Sequence, residues 1–192
     1  MAAITIRLDA TRALPLSPPS WNVPNQAGLW LGNASAACKA CRGNGGSPTY
    51  RGAQLSMCDC VARQIFRACL AKYRDLEHFS RETMVGWTGL QKQARSRAEA
   101  CRYVRIAEDY RADFYLISKR YLNQREWALF QMYMLEGRTW RECAAQVQMD
   151  RGSLFHSIYR MERTLGRIFL TLKPYGLFPL DEYFNCVIGR KA

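Results

Sequence analysis

Histidine is nearly missing from this chain: there are two, His78 and His156, in 192 residues. No catalytic-triad signature, paired-carboxylate motif or phosphate-cradling glycine loop accompanies them. An enzyme needs a converging acid, base and nucleophile, so a non-enzymatic role is expected. Acidic residues are also scarce, with 16 Asp and Glu against 28 Lys and Arg, for a formal net charge of +12. That imbalance favours a polyanionic partner, because each phosphate contact releases condensed counterions. No stretch reaches the ~20 apolar residues that span a bilayer, and Met1 to Pro19 lacks the continuous apolar run of a secretory signal. A membrane is therefore not expected as a partner, and the cytoplasm is the expected compartment.

Hydrophobic residues make up 48% of the chain, enough to bury a core. The expected fold is mainly α: a helical domain with a C-terminal helix-turn-helix and an inserted small zinc ribbon or knuckle. Residues 1–37 begin with an alternating run (Ile4, Ile6, Leu8) and turn rich in Pro, Ser, Asn and Gly, which predicts an arm or edge strand followed by a loop. Residues 38–60 hold two cysteine clusters around a Gly-rich stretch. Residues 61–121 form a basic helical region. In it Val61, Ile65, Phe66, Cys69, Tyr73 and Leu76 mark one helix, His78 to Leu90 reads as irregular, and a second helical stretch runs from about Gln91 to Tyr121. The arginines from Arg95 to Arg120 form a solvated face, some of them available to phosphates.

Residues 122–172 carry the strongest signal. Asn123 caps a helix from Gln124 to Leu135 that Gly137 ends, and Thr139 with Glu142 makes a capping box for Trp140 to Val147. Asp150 then caps a long helix from Arg151 to about Leu172. Two short helices, a tight turn and a longer helix have the proportions of a DNA-binding helix-turn-helix. If Leu154, Ile158, Met161 and Leu165 face the core, then Arg151, Phe155, His156, Ser157 and Tyr159 project near the helix start, where a major groove is read. Arg151 suits guanine, His156 a base edge and Phe155 a thymine methyl, while Ser153, Arg160 and Arg163 suit phosphates.

The runs Leu122–Glu126 (LNQRE), Gly137–Met149 (GRTWRECAAQVQM), Asp150–Leu154 (DRGSL) and Ile158–Arg160 (IYR) resemble the promoter-reading C-terminal region of bacterial sigma factors. Thr139, the triplet Glu142-Cys143-Ala144, the cap Asp150 and Gly152-Ser153-Leu154 fill places typical of that family. The resemblance covers roughly a quarter of the chain, nothing else in it is sigma-like, and it implies double-stranded DNA as the partner.

Cys38, Cys41, Cys58 and Cys60 are the candidate metal ligands. Four thiolates satisfy tetrahedral zinc, and glycines after a C-x-x-C let backbone N–H groups turn toward sulfur. With no open coordination position, one structural Zn2+ is expected rather than a catalytic one. Cys69 in place of Cys58 or Cys60, or a redox pair, are the alternatives. Cys69, Cys101, Cys143 and Cys186 otherwise read as small apolar core residues. The segment Cys38 to Gly45 resembles the C-x-x-C-x-G-x-G zinc modules of J-domain chaperones, but it occurs once and closes with a tighter C-x-C, which speaks against chaperone function.

Residues 173–192 form an aromatic tail, expected as a strap across the helices, with a partner-docking hook as the alternative. Tail and helix-turn-helix together resemble small bacterial and phage-associated DNA-binding proteins. The sequence thus predicts a sequence-specific double-stranded DNA-binding protein acting in transcription regulation. The alternative is an adaptor that grips RNA polymerase, as phage antiterminators do. An RNA-binding zinc protein would want stacking aromatics near the knuckle, and none is apparent in the sequence there.

Overall fold

A computed structural model of the chain describes residues 26–48, 55–85, 97–172 and 176–189. The expected arm at Ile4, Ile6 and Leu8, and the breakers Gly86 and Gly89, lie outside them. The described elements are α1 (Gln26–Asn33), β1 (Gly46–Pro48), β2 (Leu55–Met57), α2 (Asp59–Val85), α3 (Arg97–Tyr121), α4 (Gln124–Phe130), α5 (Trp140–Val147), α6 (Arg151–Thr171) and α7 (Leu180–Gly189). The fold is mainly α, with one two-stranded antiparallel ribbon in which Ser47 pairs with Ser56.

Local chemistry accounts for the helix starts. Asn123 and Thr139 each accept a hydrogen bond from the backbone N–H three residues on, while Glu126 and Glu142 reach back to the capping residues' own N–H groups. Asp150 accepts from the Ser153 N–H. α4 runs on into a π-helical turn, Gln131–Leu135, and Gly137 supplies the positive φ (+70°) beyond it. There the Arg74 guanidinium donates to the Met134 carbonyl at 2.7 Å.

Apolar side chains from four helices meet in one core. Phe66 of α2 lies 6.4 Å from Phe114 of α3, 6.2 Å from Phe130 of α4 and 6.1 Å from Phe169 of α6, centroid to centroid. Along α6 the buried residues Leu154, Ile158, Met161, Leu165 and Phe169 recur at spacings of four, three, four and four, the inward stripe of an amphipathic helix. Helices α2 and α6 approach closely. A Cβ placed on Gly166 would stand 1.8 Å from the Ala62 carbonyl oxygen, so the two backbones touch where neither residue carries bulk. Beside that crossing, Glu162, nearly buried on α6, accepts from Arg63 at 2.7 Å and from Arg67 at 3.1 Å. In the tail, Leu177 is buried, the Tyr183 hydroxyl donates to Asp113 on α3 at 2.8 Å, and the Tyr183 ring meets Tyr110 edge-on at 5.0 Å.

Three expectations are corrected. Residues 26–33 are helical rather than loop: Gly28, Gly32 and Asn33 gave the segment a turn-like composition, yet Trp30 is buried against the knuckle. The stretch from His78 to Val85 continues α2 instead of being irregular. Cys101, expected in the core, is exposed, because Ile106, Tyr110 and Phe114 define the inward stripe of α3 and Cys101 falls off it. The tail contributes α7, which packs on α3 through Tyr183.

Candidate metal centre and nucleic-acid interface

The turn after α1 and the start of α2 bring Cys38, Cys41, Cys58 and Cys60 together, with all four sulfurs within 4.8 Å of one another. The Sγ atoms of Cys38 and Cys58 are 3.7 Å apart, and those of Cys41 and Cys60 are 3.5 Å apart. A tetrahedral ion with sulfur bonds of about 2.3 Å needs sulfur–sulfur edges of about 3.8 Å, so this cluster can hold a metal ion with little adjustment. Cys69 is no part of it: its thiol is buried under the tail, against the Leu177 carbonyl.

Backbone shape favours the thiolate at two of the four sulfurs. Arg42, Gly43 and Gly45 all have positive φ, and this reversal aims the N–H groups of Gly45 and Gly43 at the Cys41 sulfur. The N–H groups of Cys41 and Ala40 donate to Cys38 and hold its thiol down at about 6, well below the ordinary thiol range. For Cys41, burial raises the thiol, but the donors from Gly45, Cys60 and Gly43 together outweigh it, and the net direction is down. Burial instead pushes Cys58 up to about 12 and raises Cys60. Cys38 and Cys41 are thus disposed to be thiolates, and Cys58 and Cys60 need a nearby cation to become so.

The centre is built into the helices around it. Gly45 touches Trp30 of α1 so closely that a Cβ there would lie 2.6 Å from the Trp30 carbonyl oxygen. The Ser35 N–H donates to Cys60. On the other side Asp59, between two ligands, accepts from Arg163 at 2.9 Å and Arg167 at 2.6 Å, both on α6. A groove of about 500 Å³ runs alongside, where Cys38 and Cys60 share a wall with Asn33, Ser35, Arg63 and Arg67.

The second candidate site is the N-terminal end of α6, approached through α5 and the turn Gln148–Asp150, in which Gln148 adopts φ +52°. Arg151, Ser153 and His156 are exposed, Tyr159 is 46% exposed, and Phe155 is half-buried. Ser157, expected to project, is instead buried at 8% exposure: it sits next to Ile158 on the inward arc of the helix and cannot reach a groove. Arg160 is exposed but pairs with Glu126 at 2.7 Å, and Arg163 pairs with Asp59, so each must share or exchange an acidic partner to meet a phosphate. Among the described residues Arg151 forms no ion pair; its guanidinium lies over the rings of Trp140 and Phe155. Sequence reasoning missed Trp140, Arg141 and Arg63 as members of this surface. Only the adjacency of Trp140 and Arg141 in the sequence signals it, since Arg63 arrives from α2.

No helix among the described residues is long and apolar enough to cross a membrane. Compared with protein-family models, with curated proteins and with solved structures, the chain matches none.

Proposed function

We propose that the protein is a sequence-specific double-stranded DNA-binding regulator of transcription, that α6 is its reading helix, and that the four-cysteine centre holds one structural Zn2+. The observation that carries this reading is the exposed end of α6, where Arg151, Ser153 and His156 stand clear of the core behind a capped, tight-turned α5. The net charge of +12 and the sigma-like run from Leu122 to Arg160 point the same way. Zinc fits a closed set of four sulfurs in the reducing cytoplasm, where thiols stay free of disulfides.

Selection of bound sites from random duplexes tests the reading. Arg151→Ala or His156→Ala is expected to cost about 1–3 kcal/mol on the preferred sequence and much less on random duplex, because a lost base contact matters only where the right base was present. Variants that fold normally and bind both duplexes as the parent does would remove α6 as a base reader. Co-purification with RNA polymerase would then favour the adaptor reading.

Binding without catalysis is part of the proposal. The metal set leaves no open position for water, and the two histidines lie on different helices, His78 on α2 and His156 on α6. Incubation of the pure protein with duplex DNA and magnesium should leave the DNA intact, and cleavage or strand joining would refute this part.

A further inference from the structure

Five side chains from three helices, two cations and three rings, lie in a row across the surface beside the reading end of α6. The Arg151 guanidinium carbon stands 5.2 Å from the Trp140 ring centre and 5.9 Å from that of Phe155. Trp140 and Phe155 are 6.4 Å apart, and Phe155 and Tyr159, one turn apart on α6, are 6.2 Å apart. Arg63 of α2 closes the row, 4.2 Å over the Tyr159 ring. A sixth residue, Arg141, lies 5.4 Å over the Trp140 ring at the opposite end.

This row is not core. Tyr159 is 46% exposed, Trp140 and Phe155 are half-buried, and Arg141 and Arg151 are exposed. Carboxylates stand beside it: Glu162 pairs with Arg63 and Arg67, Asp150 accepts from the Ser153 N–H and hydroxyl, and Glu142 accepts from the Thr139 N–H. Four guanidiniums, with Arg67, thus face three carboxylates, and what the surface offers is guanidinium planes set against partly exposed rings.

A continuous duplex offers a ring little beyond its thymine methyls. It offers base edges in its grooves and phosphates at its rim, while the π-faces of its bases are covered by their neighbours. Unpaired bases present those faces, and surfaces that bind single strands interleave aromatic rings with arginines, which stack on the bases and meet the backbone. We propose that the row from Trp140 to Arg63 is a stacking surface for unpaired bases, so that the protein prefers locally opened DNA to continuous duplex. This goes beyond duplex reading by α6 and does not depend on it.

Binding of the full zinc-loaded chain is measured on three probes: a duplex, the same duplex with an internal run of mismatches, and one of its single strands. The mismatched probe is expected to bind about tenfold tighter than the continuous duplex. Tyr159→Leu keeps apolar bulk but removes the π-face and should abolish that preference, whereas Tyr159→Phe should retain it. Thermal melting confirms that each variant folds, and the comparison of probes with the parent protein stands whatever the variants do. Equal affinity of the parent for duplex and mismatched probe overturns the proposal, as does a preference that survives Tyr159→Leu. A preference for opened DNA without any sequence preference supports it while refuting duplex reading. Sequence-selective duplex binding without that preference does the reverse.

Discussion

Gly166→Ala is expected to lower the melting temperature by about 6–12 °C, from a loss of roughly 3 kcal/mol or more. Two effects oppose each other at this position. Alanine is the better helix former by about 1 kcal/mol, which alone would stabilise α6. The added methyl, however, would meet the Ala62 carbonyl oxygen at 1.8 Å and the carbonyl carbon at 2.7 Å. Those are backbone atoms of a neighbouring helix, not the end of a flexible side chain, so α2 and α6 must move apart along their length. Separation would loosen the Glu162 pairs with Arg63 and Arg67 and thin the contact of Phe66 with Phe169. Gly32→Ala is the control: it also lies in a helix, but its added methyl meets nothing within 4 Å, so stability should stay level or rise by up to about 1 kcal/mol. If both variants melt alike, the close crossing of α2 and α6 is not what holds these helices together.

That crossing also shows which features could be read in advance. The caps at Asn123, Thr139 and Asp150 are local: each joins residues three apart, so both partners are visible in the sequence at once. The inward stripe Leu154, Ile158, Met161 and Leu165 follows from helical periodicity, and the cysteine set from the spacing within each pair. Gly166 and Ala62 are different. A glycine inside a helix and an alanine on another carry no mark of being neighbours until the fold joins positions about a hundred residues apart. The same distance hides the pairing of Arg63 and Arg67 with Glu162, and of Arg163 and Arg167 with Asp59. Those arginines look like a free basic face in the sequence but are partly spent on structure. Ser157 failed for a subtler reason, because the inward arc of α6 is wider than the four residues that define its centre.

Removing the metal is expected to cost about 4 kcal/mol or more when the ion is present at a thousandfold over its dissociation constant, since a ligand bound only by the folded state stabilises by mass action. Elemental analysis of reduced, folded protein should find about one zinc per chain, as a single closed four-sulfur set implies. A strong chelator can reach the centre because Cys38 and Cys60 border an open groove. The loss should be uneven across the molecule. Residues 38–58 have little apolar content of their own, so the turn and ribbon should lose their structure with the ion. The aromatic core of Phe66, Phe114, Phe130 and Phe169 is held by ring contacts among four helices and should keep most of the helix signal. Between them lies Asp59, flanked by ligands Cys58 and Cys60 and joined to Arg163 and Arg167. Hydrogen exchange should therefore rise first around residues 38–60, then at the start of α2 and along α6 near Arg163, ahead of the core. Cys41→Ser, at a ligand that is 4% exposed, should reproduce this pattern and abolish stoichiometric zinc, whereas Cys101→Ser, at an exposed cysteine outside the cluster, should change neither. Folded, reduced protein free of zinc, or a Cys41→Ser variant with parental zinc content and melting temperature, would refute the centre as a structural zinc site.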